Sequence, residues 1–201
     1  LGKLGGRELT YHSDLDLIIV HSGKSKASQN DRLLIQEYGV KLIQRTIFLL
    51  TTITRSGFAY TMDTRLRPSG NAGVLVTPWE VYFKYHRNSQ AWEHQALVKG
   101  RIVAGASTQL ESEGLIEAID EFSKPGWFEE VESGIEQAAY EWETPRDLAS
   151  QIHHLRSRKE KELSAETDKK RNLKEGRGGL LDVEFLTQYL QLVHGRDIPE
   201  M

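Results

Sequence analysis

The run Leu15–Val20 constrains this chain more than any other stretch. It is short and apolar, β-branched at Ile18, Ile19 and Val20, and it grows out of Ser13-Asp14-Leu15-Asp16. Such a run reads as a strand. The polar loop His21–Asn30 follows it. Then comes an amphipathic stretch, Arg32–Thr52, in which Leu33, Leu34, Tyr38, Val40, Leu42, Ile43 and Ile47 recur near helical spacing. A second strand-like run, Phe58–Arg67, alternates Phe58, Tyr60, Met62 and Leu66 with smaller or polar residues. A third, Val74–Val76, stops at Thr77-Pro78. Strand, helix and strand in that order make a core in which helices cover strands.

From Pro78 onward the periodicity is helical. Pro78 fits a first helical turn with Thr77 as its cap, and Trp79, Tyr82, Phe83 and Tyr85 form one bulky stripe. Further helices are expected over Ser89–Val103, Ser107–Glu121, Gly126–Glu143, Arg146–Glu162 and Leu180–Val193. Lys159–Lys174 is densely charged and reads as a solvated helix end or loop, broken by Gly176–Gly179. There is no internal repeat. The expected fold class is α+β: a strand-bearing domain over residues 1–105, then a helical domain over residues 106–201.

Composition narrows the chemistry. With no cysteine among 201 residues, disulfides and thiolate metal sites are excluded, so a metal must sit on carboxylates, imidazoles or water. The formal net charge of -3 supplies no basic field for nucleic acid. No apolar run reaches membrane-spanning length, and no signal peptide opens the chain. The expectation is a cytoplasmic protein with neither nucleic-acid nor membrane partners. Both ends read as cut: the chain opens on Leu1 and a glycine turn, and the last helix has only a short polar tail. The expected context is a longer polypeptide, with the helical domain truncated.

Two carboxylates at i and i+2 of a strand share a face, with Cα atoms about 6–7 Å apart. Asp14 and Asp16 stand in that relation. They repel unless cations sit between them, and oxygen-only ligation suits Mg²⁺ or Mn²⁺ with substrate phosphates. Taken alone, the pair is equally readable as two surface aspartates at a strand entrance. Upstream, Gly2-Lys3-Leu4-Gly5-Gly6-Arg7 reads as a glycine-rich turn that lets backbone approach a phosphate chain, with Lys3 and Arg7 in reach. It matches neither a P-loop nor a dinucleotide fingerprint.

Downstream, Asp63, Arg65 and Arg67 of Asp63-Thr64-Arg65-Leu66-Arg67-Pro68 fall on one face of an extended segment. Asp63 reads as a third metal ligand, and Arg65 and Arg67 as forks for phosphate. The competing reading is an internal Asp–Arg ion-pair ladder. Ser69–Gly73 is a small-residue loop beside them. Elsewhere, Trp92 reads as core packing and His94 as a buried hydrogen-bonding residue. His153 and His154 read as surface residues, while Lys99 and Arg101 stay open between phosphate contact and solvent. Asp182 and Glu184 lie about 200° apart on a helix and cannot chelate one ion together. Asp182 is expected to cap that helix or dock to an arginine of the strand-bearing domain.

Gly-Gly, then Ser-Asp-x-Asp on a strand, then a third aspartate on a later strand resembles the polymerase-beta-type nucleotidyltransferase arrangement. Four blocks, GKLGGRELTYHSDLDLI, YTMDTRLRPSGNAGVLV, AWEHQALVKGRIVAG and GGLLDVEFLTQYL, resemble bacterial glutamine synthetase adenylyltransferase in order and reach from the first residues to Leu190. The resemblance implies a polymerase-beta-like catalytic core, a mixed sheet with helices, followed by a helical domain. It implies two-metal transfer of AMP from ATP to a tyrosine of glutamine synthetase, which controls nitrogen assimilation. Asp14, Asp16 and Asp63 would be the catalytic metal ligands, and Gly5, Gly6, Ser13, Arg65 and Arg67 would hold the triphosphate.

The nitrogen-signalling PII protein is the implied partner of the full-length enzyme. Arg67-Pro68-Ser69-Gly70, Trp92-Glu93-His94-Gln95 and Asp182 look more like the adenylylating, C-terminal half than the AMP-removing half. The chain departs from the family pattern at Gly100 of Lys99-Gly100-Arg101, which weakens the helix expected there. The alternatives are the AMP-removing phosphorolytic half and a non-catalytic module that binds nucleotide or a signalling protein.

Overall fold

The computed structural model describes residues 1–11, 13–22, 29–105, 126–167 and 169–198. The helix expected over Ser107–Glu121 lies outside them. Two compact units make up the chain. The first comprises Leu1–Asn88 with Lys99–Ile135, and the second Ser89–Val98 with Glu136–Met201.

In the first unit, the segment read as a glycine turn closes instead into a single helical turn, α1 (Gly2–Gly5). Gly5 N donates to Leu1 O at 2.8 Å and Gly6 N to Gly2 O at 3.0 Å. Glycine makes this possible by close packing, since a Cβ on Gly5 would collide with the backbone carbonyl oxygen of Lys99. The run Leu15–Val20 is not one strand. It divides into β1 (Leu15–Asp16) and β2 (Ile19–His21) because the chain changes partner midway. β1 runs parallel to β3 (Met62–Asp63), and β2 runs parallel to β4 (Val76–Pro78). Among the described residues the expected mixed sheet is therefore two separate two-stranded parallel ladders.

Helix α2 (Gln29–Thr51) links the two halves of this arrangement and ends where Thr51, Thr52, Ile53 and Thr54 crowd the backbone with β-branched side chains. Thr51 Oγ1 turns back to Ile47 O at 2.7 Å. On the inner side of α2, Gly39 lies against Val76, and Gln36 joins the Val76 carbonyl to His21 Nε2, the latter at 2.8 Å. Burial lowers the His21 imidazole below the ordinary histidine range.

The long strand expected over Phe58–Arg67 survives only as β3. The N–H groups of Ala59 and Tyr60 are spent on Leu50 O at the end of α2, at 3.0 and 3.2 Å. Beyond Asp63 the chain coils around the Arg67 side chain. Thr77 does not cap a helix: it is buried on β4, and Pro78 occupies the residue before α3 (Trp79–His86). The aromatic stripe on α3 forms as read in part. Trp79 and Tyr82 are buried and stack at 5.4 Å, and Trp79 also meets Trp127 edge-on at 6.3 Å.

The second unit is helical. α4 (Ala91–Leu97) carries a capping box in which Gln90 N donates to Glu93 Oε2 at 2.8 Å. It stops well short of Val103, as the low helix propensity of Gly100 requires. α5 (Trp127–Tyr140) runs from the first unit into the second. α6 (Leu148–Leu163) and α7 (Leu180–His194) complete the unit. Ala91, Leu148, Ile152, Leu181, Phe185 and Leu192 form its core, with Val98, Trp142, Leu155 and Tyr189 packed against it.

His94 is buried as read. Its Nδ1 bonds Ala138 O at 2.6 Å and its ring stacks on Trp142 at 3.9 Å. Trp92 departs from the core reading and is 42% exposed, because the inward face of α4 is taken by Ala91, His94 and Gln95. His153 and His154 are exposed. Asp182 accepts from Gly178 N at 2.6 Å in the first turn of α7, as a capping residue does. Its ion-pair partner is Arg156 of α6, not an arginine of the strand-bearing unit. Arg156 is buried and also donates to Gly176 O at 2.8 Å, so one side chain ties the glycine loop to α7.

Candidate active site

The register of β1 against β3 sets the acidic centre. Leu15 stands opposite Met62, and Asp16 opposite Asp63. Leu15 N donates to Thr61 O at 2.9 Å and Leu17 N to Asp63 O at 2.8 Å, so ladder bonds fix the pairing on both sides of Asp16. Adjacent strands lie about 4.8 Å apart, which brings Asp16 and Asp63 side by side. Leu15 is buried, so strand alternation turns Asp14 and Asp16 to the opposite face. Asp14, exposed just before β1, accepts a hydrogen bond from the Thr61 hydroxyl.

The electrostatics follow from this crowding. Burial raises the Asp16 carboxyl above its ordinary value, and the neighbouring carboxylates of Asp63 and Asp14 raise it further. Asp63 goes the other way. The Arg65 side chain holds it down through hydrogen bonds from Nε to Oδ1 and Oδ2 at 3.0 and 2.9 Å, aided by Arg65 N to Oδ1 at 2.9 Å. The Arg65 side chain is 71% exposed and that of Asp63 19%. This is the ion-pair reading of the segment, with the guanidinium at the mouth of the acidic centre.

The other residues expected to hold phosphate are engaged elsewhere. Arg67 donates from Nη1 to Thr64 O at 2.7 Å and Thr64 Oγ1 at 2.8 Å, and from Nε to Gly73 O at 3.2 Å. It thereby clasps the loop that carries Ser69 and Gly70, both at positive φ. Ser13 is buried, and its Oγ accepts from Thr10 N at 2.9 Å. The N–H groups of Gly5 and Gly6 are spent within the α1 turn.

Two contributors escaped the sequence reading. Thr61 lies two residues before Asp63, so strand alternation put it on the same face and was the available signal. Gly2 abuts the Asp16 carboxylate so closely that a Cβ there would collide with Oδ2. Its signal, a glycine at positive φ, is visible only in the folded backbone.

Among the described residues no three His, Asp or Glu side chains are arrayed as a metal cage. The donor set nonetheless fits a hard divalent cation: oxygen ligands only, from carboxylates whose mutual repulsion raises Asp16 and which a cation would relieve. Asp63 would have to release Arg65 to join it.

Two family models match overlapping parts of the chain. Residues 1–115, more than half of it, match the family model for glutamate-ammonia ligase adenylyltransferase. Residues 101–200 match the model for GlnD PII-uridylyltransferase. A bifunctional glutamine synthetase adenylyltransferase/adenylyl-removing enzyme from Psychromonas ingrahamii is 38% identical over 196 residues, covering 96% of this chain and 19% of that protein. The protein of the same description from Hahella chejuensis is 36% identical over 208 residues, covering 100% of this chain and 20% of its own length. The chain thus spans about a fifth of the length of the curated relatives it matches.

Proposed function

The chain belongs to the glutamate-ammonia ligase adenylyltransferase family, and from that premise we propose that it carries a nucleotidyl-transfer site that moves AMP from ATP to a tyrosine of glutamine synthetase. The observation that carries this reading is the register of Asp16 against Asp63 on neighbouring parallel strands, with Asp14 on the same face. It sets Asp63 beside the Asp-x-Asp motif, which supports a carboxylate centre within the polymerase-beta-like core that residues 1–105 would form.

Asp14, Asp16 and Asp63 would hold Mg²⁺ or Mn²⁺, which when bound supplies charge neutralisation for the triphosphate and lowers the pKa of the attacking hydroxyl. The remaining work belongs to side chains of this chain. At rest Asp63 is a poor base, since Arg65 holds its pKa down. When Arg65 swings from Asp63 to the triphosphate, a guanidinium fork meets phosphate, and the freed carboxylate can join the cation and accept the proton of the tyrosine hydroxyl, whose pKa the bound cation would lower. The tyrosine oxygen then bonds the α-phosphorus as the bond to pyrophosphate breaks. Arg67 keeps the adjoining small-residue loop in shape rather than reaching the substrate. Positioning and charge stabilisation supply most of the acceleration.

The stretches Arg67-Pro68-Ser69-Gly70 and Trp92-Glu93-His94-Gln95, and the aspartate at position 182, resemble the adenylylating half and support that direction. The competing direction, removal of AMP by phosphorolysis, would use the same carboxylates, and the relatives carry both activities in their names. Incubating the full-length protein and its Asp16→Asn variant separately with unmodified and AMP-modified glutamine synthetase decides between them. The adenylylating reading predicts that variants of Asp16 in this segment lose AMP addition and keep AMP removal. Loss of removal alone would reverse the assignment. The helical domain over 106–201 is then a candidate for relaying signals, including those of a PII-type partner, in a cytoplasmic setting.

A further inference from the structure

We propose that Arg101 is a positioning residue for the acidic centre: its guanidinium grips the C-terminal turn of α1, and α1 in turn sets where Asp16 stands. The inference rests on the nucleotidyl-transfer reading of that centre. Contacts at both ends of α1 carry it. Arg101 donates from Nε to Gly5 O and from Nη2 to Leu4 O, both at 2.9 Å, across 96 and 97 residues of sequence. The same strap presses its Lys99 carbonyl so tightly on Gly5 that no side chain fits there. At the other end of α1, Gly2 abuts the Asp16 carboxylate so closely that a Cβ there would collide with Oδ2.

The chemistry explains why a guanidinium does this. The carbonyl oxygens at the C-terminal end of a helical turn carry partial negative charge and want donors. Left unpaired beside three carboxylates, they would add to the repulsion that a triphosphate meets. A planar fork satisfies two carbonyls at once and adds positive charge behind the turn. The strap holds the C-terminal end of α1, and the contact between Gly2 and Asp16 holds its other end. Lys99 adds a second tie, an ion pair to Glu8 at 3.0 Å just past the turn.

The test uses the full-length polypeptide with Arg101→Ala and Arg101→Lys, read by Mn²⁺ binding without nucleotide, by KM for ATP against kcat, and by thermal melting. A residue that orients a metal-ligating group typically costs about tenfold or more in metal affinity when removed. Arg101→Ala should therefore weaken Mn²⁺ about tenfold and raise KM for ATP in parallel. Arg101→Lys, which keeps the charge and a donor for one carbonyl, should fall between Ala and wild type in Mn²⁺ affinity. Variants that melt lower but bind Mn²⁺ and ATP as wild type does would overturn the proposal. Should Arg101→Ala not fold, a Lys variant with wild-type Mn²⁺ affinity and wild-type KM overturns it equally. Wild-type protein that binds Mn²⁺ but transfers no AMP sinks the nucleotidyl-transfer reading instead, and leaves the Mn²⁺ comparison standing.

Discussion

Replacing Asp16 by Asn separates a residue kept for packing from one kept for chemistry. Asp16 and Asp63 stand in register on adjacent strands, so their charges are about 5 Å apart. At an effective dielectric near 20, two like charges at that distance repel by about 3 kcal/mol. Arg65 offsets much of the Asp63 charge, and the site is open to water and salt, which reduces the net penalty to about 1 kcal/mol. The sign of the pH dependence follows from the raised Asp16 pKa. Ionisation costs more in the folded than in the unfolded state, so the penalty is absent below the unfolded value, about 4, and complete above the folded one. Asp16→Asn should therefore raise the melting temperature of the metal-free chain at pH 7 by about 2–4 °C. The gain should shrink as pH falls through the folded pKa and vanish near about pH 4. Scanning fluorimetry at several pH values checks it. A variant that melts below wild type at pH 7, or gains equally at pH 4 and pH 7, refutes the reasoning.

Other substitutions probe separate links. Arg65→Ala removes the competitor for Asp63 and should tighten Mn²⁺ binding in the absence of nucleotide by about threefold while raising KM for ATP, since exposed ion pairs are weak; unchanged Mn²⁺ affinity by titration counts against the exchange of partners. Gly5→Ala drives a methyl group into the Lys99 carbonyl and should lower stability by about 2–3 kcal/mol in denaturant titration. A neutral effect would mean that the strap yields. Arg156→Ala leaves Asp182 without its partner and the Gly176 carbonyl without its donor; because Asp182 is partly exposed, the expected cost is about 1–2 kcal/mol. A loss confined to the second unit in hydrogen exchange confirms where that pair acts.

The shared face of Asp14 and Asp16 was legible because strand alternation is short-range and holds whatever their partner. What pairs with what was not legible. Leu15–Val20 looks uniform in sequence yet breaks at Leu17, because β1 and β2 answer to different partners far along the chain. Phe58–Arg67 alternates like a strand, but its donors go to Leu50 O and its arginines fold back onto Asp63, Thr64 and Gly73. Arginine is long enough to satisfy a local carbonyl or a distant phosphate, and spacing cannot separate the two. The helices fared better where an apolar stripe was bounded by glycine, as in Leu180–His194 between Gly179 and Gly195. The roles of Arg101 and Gly2 depend on contacts across the fold and have no local signature.

The central claim is that Asp14, Asp16 and Asp63 together form a metal-dependent AMP-transfer site. The most direct measurement is incorporation of radiolabelled AMP from ATP into unmodified glutamine synthetase by the full-length protein, with Mg²⁺, with chelator, and with each aspartate changed singly to Asn. The account predicts incorporation by wild type only with metal, and a loss of about a thousandfold or more in each variant while circular dichroism stays native. Wild-type rates in any of the three variants, or incorporation that persists in chelator, would contradict it.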